Sequence, residues 1–434
     1  MDKIVLRGGR PLNGVVPIAG AKNAALPILM ATLVAPGRHK LVNVPELVDV
    51  STTLSLLGRI GCPSLVSPGT VQLDTTRISY NEAPYDLVRR MRASVLALGP
   101  LLGRCGEAKV SLPGGCAIGM RPIDQHLKGM EALGAKFQLE DGYVYGRADK
   151  LVGNRIPLDV PTVTGTENIL MAAVFAEGES RIENAAREPE IVDLANFLNS
   201  LGAKIEGAGT STLLVQGVTS MSPPEEAYSI LPDRIEAATY LIAGAITGGD
   251  LTIRGARVED LLPVIAKLRE AGCEITIDGS DIRIQRNGPI RSVDLDTAPH
   301  PGFPTDVQAQ FMALMTLGDG VSQIRENIFE NRFMHVPELG RMGAQVDVDG
   351  NTASVTGVSE LNGATVMATD LRASASLVLA GLSTPATTQV LRLYHLDRGY
   401  ERLVEKLLAI GADVARVPQE RDEFGKDARL SATS

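Results

Sequence analysis

The stretch IVDLANFLNSLGAKIEGAGTSTLLV, residues 191–215, carries the pattern that decides the fold. Its first part has apolar residues three and four positions apart, which predicts a helix with one buried face. Gly202 follows at the point where a helix C-cap needs the left-handed conformation. The runs 204–206 and 212–215 then have the short apolar pattern of strands. The stretch therefore predicts a helix, a glycine cap and two strands in succession.

This junction of a hydrophobic residue, a glycine and a small residue recurs through the chain. Its glycines are Gly61, Gly134, Gly202, Gly272, Gly343 and Gly411. Successive glycines lie 68 to 73 residues apart, and such regular spacing indicates internal duplication. A second helix, apolar on nearly all sides and therefore expected to be buried, recurs once per period. Its instances cover residues 24–34, 87–102, 167–176, 235–246, 307–317 and 371–383.

The repeat predicts an α/β protein of six units, each with two helices and three or four strands. Six units are too many for one core in a chain of 434 residues, so we expect two domains of three units each. The polar, proline-containing segment 220–226 near the chain centre is a suitable linker. We expect the charged tail, residues 419–434, to be flexible.

The charge balance limits the classes of partner. Lys and Arg number 42 against 51 Asp and Glu, which makes the net charge -9. General nucleic-acid binding needs an excess of basic residues, so no nucleic-acid partner is expected. A local basic cluster could still hold an anionic small molecule.

The sequence also indicates a compartment. No apolar run reaches the roughly 20 residues of a spanning helix, so no membrane insertion is expected. The N-terminal residues show no secretory signal, and the four scattered cysteines form no disulfide or zinc pattern. We therefore expect a cytoplasmic protein.

The segment 111–122, SLPGGCAIGMRP, is the most distinctive candidate for chemistry. Its Pro-Gly-Gly cannot continue a strand and lets backbone approach a ligand closely. Cys116 at its tip is expected to be reachable, and Arg121 would favour the thiolate or bind an anion nearby. A buried, inert cysteine is the alternative, and spacing alone does not decide between them.

Basic residues at the starts of the repeats are the second group of candidates. They are Lys22, Arg92, Arg332, Arg372 and Arg398. Each alone is typical of a surface ion pair. Their recurrence at equivalent edges of the repeats could instead gather them in one cleft, with helix N-termini, around phosphate and carboxylate groups.

Asp306, in the run Phe303-Pro304-Thr305-Asp306, has two possible roles. An Asp before an apolar helix is usually an N-cap, whereas its functional role would be that of a general base for a hydroxyl. The five histidines have no metal-ligand spacing, and the chain has no Walker or dinucleotide-binding motif. No metal and no cofactor are therefore expected.

Six motifs together resemble one known family. They are GAKNAALP at 20–27, LPGGC at 112–116, NAAREPE at 184–190, FPTD at 303–306, NRFMH at 331–335 and ATDLRASAS at 368–376. They resemble the UDP-N-acetylglucosamine 1-carboxyvinyltransferases, a family of enolpyruvyl transferases, from Met1 to about Val417. The resemblance implies a two-domain inside-out α/β barrel, each domain made of three βαβαββ-like units. It also implies that residues 22–229 form one domain, and residues 1–21 with 230–434 the other.

The resemblance implies a reaction as well. The enolpyruvyl group of phosphoenolpyruvate would pass to the 3′-hydroxyl of UDP-N-acetylglucosamine through a tetrahedral intermediate, with release of phosphate. This is the first committed step of peptidoglycan biosynthesis. Cys116 would be the proton donor and Asp306 the base, with Asp370 as a secondary acid/base or orienting group.

The two substrates would be the partners of this chain, and their anionic groups would meet its cations. Lys22, Arg121 and Arg398 would hold the phosphate of phosphoenolpyruvate. Arg332 and Arg372 would hold its carboxylate, so the cations would supply the charge that a metal otherwise would. The implied contacts of the nucleotide sugar are Asn23, Arg92, Arg121, Pro122, Ile123, Asp124, Gln125, Thr162, Val163, Thr164, Asp306 and Ile328.

Three other functions stay open. The sister enzyme that acts on shikimate 3-phosphate shares the fold but lacks the cysteine loop. A cysteine hydrolase would need a histidine base, for which His126 is the candidate nearest to Cys116 in sequence. A repeat scaffold without catalytic activity is the third possibility. The sequence does not settle the oligomeric state.

Overall fold

The computed structural model of the protein describes residues 2–88, 91–112 and 123–419. Cys116, Arg121 and Pro122 lie outside the described residues, as does the tail after Gln419, and the expectations for them stay predictions. Of the helices in the described segments, none is long and apolar enough to cross a membrane.

The described residues contain thirteen α-helices and 24 strands. The helices are α1 (Lys22–Ala31), α2 (Val48–Ile60), α3 (Tyr85–Val88), α4 (Leu98–Cys105), α5 (Asp124–Ala132), α6 (Val163–Ala173), α7 (Pro189–Ser200), α8 (Arg234–Thr247), α9 (Leu262–Glu270), α10 (Thr305–Met315), α11 (Val336–Arg341), α12 (Leu371–Ser383) and α13 (Leu403–Ala409). Short 3₁₀ helices cover Thr32–Val34, Arg92–Ala97, Val258–Leu261 and Leu393–Arg398.

The strands are β1 (Asp2–Arg7), β2 (Asn13–Pro17), β3 (Arg38–Val42), β4 (Ser64–Ser67), β5 (Thr70–Asp74), β6 (Glu82–Ala83), β7 (Glu107–Ser111), β8 (Lys136–Glu140), β9 (Tyr143–Arg147), β10 (Arg155–Pro157), β11 (Glu179–Glu183), β12 (Lys204–Glu206), β13 (Thr212–Gln216), β14 (Tyr228–Ser229), β15 (Asp250–Arg254), β16 (Glu274–Asp278), β17 (Asp281–Gln285), β18 (Leu295–Asp296), β19 (Val321–Arg325), β20 (Gln345–Asp349), β21 (Thr352–Thr356), β22 (Thr365–Met367), β23 (Thr388–Leu391) and β24 (Asp413–Pro418).

The strands form six four-stranded sheets in the described part of the chain, which confirms the six-unit α/β fold. Each sheet has one parallel pair at an edge and two antiparallel pairs. The third unit shows the common plan, since β10 and β11 are parallel, with the buried α6 between them in the chain. The outer α7 then leads into the antiparallel hairpin of β12 and β13. A parallel pair needs such a helical crossover, whereas the hairpin needs only a turn.

The predicted all-apolar helices lie at the centre of each half. In α8 every residue from Ile235 to Ile246 is buried, and α8, α10 and α12 pack on one another. The predicted continuous helix over 87–102 is wrong. That region holds a 3₁₀ helix, Arg92–Ala97, and α4 begins only at Leu98. Pro100 explains the start of α4, because its missing N–H is harmless only in the first turn of a helix.

The two N-terminal strands belong to sheets of the C-terminal half. Strand β1 pairs with β23 and β24, and β2 is parallel to β15. The buried apolar residues form two clusters, one drawn from positions 21–231 and the other from 4–16 and 235–414. The exact boundaries, 22–229 against 1–21 with 230–434, remain our proposed division into domains.

The chain passes between the two clusters twice, and the two passages lie side by side. Gly20 and Pro232 form an antiparallel bridge, and the amide of Ala21 donates to Leu231 at 2.7 Å. A Cβ atom on Gly20 would lie 1.8 Å from the carbonyl oxygen of Asn43, so only glycine fits there. This pairing brings the first turns of α1 and α8 close together, where the candidate site lies.

Candidate active site

Asp306 lies in the first turn of α10 between two buried arginines. Arg332 donates from Nη2 to one carboxylate oxygen at 2.6 Å. Arg372 donates from Nε and Nη2 to the other oxygen at 3.1 and 2.9 Å. The N-cap role is wrong for Asp306, because Pro304 occupies the cap position of α10. Charge-assisted hydrogen bonds from two guanidinium groups hold the carboxylate more strongly than the backbone amide of an N-cap would.

The cations determine the protonation of Asp306. Burial alone would raise the pKa of this carboxyl, but Arg372, Arg332 and Lys22 outweigh burial and hold the pKa well below its usual range. Burial lowers the pKa of the Lys22 ammonium, while Asp49 opposes that change. Asp306 is therefore ionised at neutral pH but is a weak base while both arginines hold it.

A second carboxylate, Asp49 in the first turn of α2, was missed by the sequence analysis. Arg398 donates to it from Nε at 2.9 Å and from Nη2 at 3.2 Å, and Lys22 Nζ lies 3.7 Å away. Asp49 is only 3% exposed. It thus joins two of the predicted phosphate-binding cations.

Repeat position is the signal that could have revealed Asp49. Asp49 precedes its junction glycine Gly61 by twelve positions, and Glu190 precedes Gly202 by the same distance. Glu190 accepts bonds from the buried Arg234 at 3.0 and 3.3 Å. Each carboxylate therefore starts the outer helix of its unit and binds an arginine from the C-terminal half.

A cavity of about 390 Å³ adjoins Asp306. Its wall includes nine of the predicted contacts, namely Asn23, Arg92, Asp124, Gln125, Thr162, Val163, Thr164, Asp306 and Ile328. Among the predicted contacts that the structure describes, Ile123 is the exception, since it is buried just before α5 and is not on the wall. Glu167, Glu188 and Arg234 also line the cavity and were not predicted.

Helix starts supply many of the wall residues. Asn23, Asp124, Val163 and Asp306 lie in the first turns of α1, α5, α6 and α10. The N-terminal end of a helix carries partial positive charge and unpaired amide groups. Such an arrangement suits a ligand that carries phosphate groups.

Asp370 is the N-cap of α12. Its side chain accepts from the amides of Arg372 at 2.8 Å and Ala373 at 3.1 Å. The cap fixes the first turn of α12, from which Arg372 reaches Asp306. Asp370 therefore fixes the backbone from which Arg372 extends.

His126 is poorly placed as the base of a cysteine hydrolase. It is 1% exposed, and its ring nitrogens contact Thr164 Oγ1 at 3.3 Å and Asn168 Nδ2 at 3.1 Å. Burial lowers the pKa of His126 to about 4, and the charge of Arg92 adds to this. Both ring nitrogens are thus engaged in the core.

Two solved structures with a similar fold are enolpyruvyl transferases. The enolpyruvyl transferase NikO from Streptomyces tendae superposes with a TM-score of 0.87 at 27% identity, over 96% of this chain and 98% of that one. An EPSP synthase from Acinetobacter baumannii shares the fold with a TM-score of 0.76 at 16% identity, over 96% of this chain and all of its own. The fold is therefore that of the enolpyruvyl transferases.

The sequence comparisons place the chain within that class. Residues 6–407 match the family model of EPSP synthase (3-phosphoshikimate 1-carboxyvinyltransferase). The UDP-N-acetylglucosamine 1-carboxyvinyltransferases of Sorangium cellulosum and Nitratidesulfovibrio vulgaris are each 57% identical to it, over 96% of this chain and 99% and 100% of theirs. The chain belongs to the EPSP synthase family of enolpyruvyl transferases. Within that family, the two relatives at 57% identity are UDP-N-acetylglucosamine 1-carboxyvinyltransferases.

Proposed function

We propose that this protein transfers the enolpyruvyl group of phosphoenolpyruvate to the 3′-hydroxyl of UDP-N-acetylglucosamine and releases phosphate. The observation that carries the proposal is the convergence of Lys22, Arg332 and Arg372 on Asp306, beside the cavity. The relatives at 57% identity support this acceptor over shikimate 3-phosphate. The cytoplasmic location expected from the sequence belongs to the same proposal.

The cation cluster suits a reaction between two anionic substrates. Arg332 and Arg372 form a fork that already binds a carboxylate, that of Asp306. Lys22 and Arg398 lie together at Asp49 and would hold the phosphate, with Arg121 from the loop. Fixed charges of this kind stabilise the developing charge of an addition intermediate.

Competition for the arginine fork would turn Asp306 into a base. The carboxylate of phosphoenolpyruvate would compete with Asp306 for Arg332 and Arg372. Once those bonds weaken, the pKa of Asp306 rises towards its ordinary value, because the charges that lowered it are shared. Asp306 can then accept the proton of the sugar hydroxyl.

The remaining roles concern proton donation and orientation. Cys116 would protonate the methylene carbon of phosphoenolpyruvate from its loop, as the family resemblance implies. Asp370 would orient Arg372 through the cap of α12. The wall residues, from Asn23 to Ile328, would hold the nucleotide sugar.

Phosphate release tests the proposal. Purified protein with phosphoenolpyruvate and UDP-N-acetylglucosamine should release phosphate, whereas shikimate 3-phosphate should give none. Asp306→Asn should lower kcat about 100-fold or more, because it removes the base but keeps the side-chain volume. No release by a well-folded protein would refute the proposed function, and release only with shikimate 3-phosphate would refute the proposed acceptor.

A further inference from the structure

Three buried polar side chains meet beneath the cation cluster, and we call them the polar hub: Thr239, Gln310 and Tyr400. The hydroxyl oxygens of Thr239 and Tyr400 are 3.0 Å apart. Gln310 Nε2 lies 3.1 Å from the Tyr400 hydroxyl and 3.2 Å from that of Thr239. All three side chains are buried, and Tyr400 is 4% exposed. Buried polar groups are costly unless they are bonded, so these contacts favour one geometry of the hub. Gln310 Oε1 has no partner among the described residues, and the hub is held through Gln310 Nε2 and the two hydroxyls.

The hub contacts the parts that carry the cluster. Gln310 Nε2 also donates to the backbone carbonyl of Asp306 at 2.9 Å, in the first turn of α10. The guanidinium carbon of Arg372 lies 5.5 Å from the centre of the Tyr400 ring. Such a contact between a cation and an aromatic face stabilises one position of the guanidinium.

Tyr400 also ties these parts to Arg398. It follows Arg398 by two residues, and its amide donates to the carbonyl of Leu396 at 3.1 Å. One buried side chain thus connects the turn that carries Arg398 with α8 and α10, while its ring lies against Arg372 on α12. The hub is where these four elements meet.

We propose that Tyr400 is a positioning residue. Its hydroxyl, through Gln310, holds the first turn of α10 in register with Arg398, and with that turn Asp306 and the Arg372 bound to it. It acts through these groups and does not itself exchange a proton with substrate. The inference rests on the proposed function, because it concerns the groups assigned there to phosphoenolpyruvate. Its effects should therefore fall chiefly on phosphoenolpyruvate, since Asp306 is only one of the many wall residues proposed to hold the nucleotide sugar.

Tyr400→Phe tests this, because it removes the hydroxyl and keeps the ring. A matched control exists in Tyr240, which is 1% exposed, lies next to Thr239 on α8, and has no hydrogen-bond partner for its hydroxyl among the described residues. Tyr240→Phe makes the same chemical change in the same core. Comparison of the two variants separates the hub from the general effect of losing a buried hydroxyl.

We expect Tyr400→Phe to lower kcat about 10-fold and to raise KM for phosphoenolpyruvate several-fold, since small displacements of positioned groups are costly. KM for UDP-N-acetylglucosamine should change less than KM for phosphoenolpyruvate, and Tyr240→Phe should match the wild type. Thr239→Val removes a hub partner but leaves Tyr400 in place. It should show the same lower kcat and higher KM for phosphoenolpyruvate, but to a smaller extent. Thermal melting would follow folding in every variant.

The outcomes separate this inference from the proposed function. Wild-type kinetics in Tyr400→Phe, or equal changes in both Tyr variants, would overturn the inference. If Tyr400→Phe does not fold, wild-type kinetics in Thr239→Val would overturn it as well. A wild-type protein that releases no phosphate would instead refute the proposed function.

Discussion

Asp306 and Asp49 each lie between two cations of one cluster and offset part of their charge. Asp306 binds Arg332 and Arg372, and Asp49 binds Arg398 with Lys22 nearby. Four cations packed together would repel one another, so the two carboxylates make the cluster compatible with folding. Both carboxylates also occupy positions where substrate anions would compete for the same cations.

The cysteines allow a prediction at the residue scale. Burial raises the pKa of the Cys62 and Cys273 thiols to about 11, so only about one molecule in ten thousand is thiolate at pH 7. Cys105 is exposed as a residue, but its thiol is partly desolvated, and this raises the pKa of the thiol. We therefore expect the epoxide fosfomycin to alkylate Cys116 alone, as judged by peptide mass mapping.

The matched control for the alkylation is Cys105→Ser. This variant should gain the same single adduct as the wild type, whereas Cys116→Ser should gain none. An adduct on Cys105 in the wild-type protein would contradict the prediction.

The site lies where several buried helices begin. The buried helices α1, α6, α10 and α12 begin at its edge, and their first residues supply Lys22, the Thr162 cap, Asp306 and the Asp370 cap. A repeat that starts a buried helix at the same place in each unit presents several helix N-termini to one cleft. This follows from the duplication, and it needs no motif of its own.

The cap of α12 gives a prediction at the scale of the element. Asp370→Ala should lower the free energy of unfolding by about 1 kcal/mol, because two amides of the first turn lose their acceptor. Asp370→Asn should keep nearly all of that stability, since its amide oxygen can still cap the helix. Urea denaturation would measure both variants, and an Asp370→Ala variant as stable as the wild type would contradict the cap.

Ion pairs at the site join the two halves of the molecule. Arg398 binds Asp49, and Arg234 binds Glu190. In both pairs the arginine belongs to the C-terminal half and the carboxylate to the half whose apolar cluster covers positions 21–231. The chain has a net charge of -9, but these pairs concentrate basic groups in the cleft. An acidic protein can therefore still bind two anionic substrates, since local geometry rather than total charge sets the field there.

The ion pair between Asp49 and Arg398, which joins the two halves, gives a prediction for the whole molecule. Asp49→Asn should lower the free energy of unfolding by about 2 kcal/mol, below the range of a fully buried pair because the side chain of Arg398 is 36% exposed. Inorganic phosphate should raise the melting temperature of this variant more than that of the wild type, because it can replace the lost carboxylate between Lys22 and Arg398.

Asp74→Asn is the control for this change. Asp74 pairs with Arg38 at 3.5 Å, and the side chain of Arg38 is 89% exposed, so the loss should be small. Its response to phosphate should equal that of the wild type. An equal response in Asp49→Asn would show that Asp49 does not hold the anion-binding cations.

The sequence by itself determined the number of units and the order of helix, glycine cap and strands within them. Of the contacts that it predicted among the described residues, most lie on the cavity wall. Apolar periodicity and the junction glycines are local properties, so they can be read along the chain. Only the tertiary structure decided that Asp306 faces two arginines and does not cap its helix. It also decided that Asp49 joins Lys22 to Arg398, and that Tyr400 lies beneath Arg372. These pairings join residues far apart in the chain, and their energies depend on burial and distance, which no local pattern encodes.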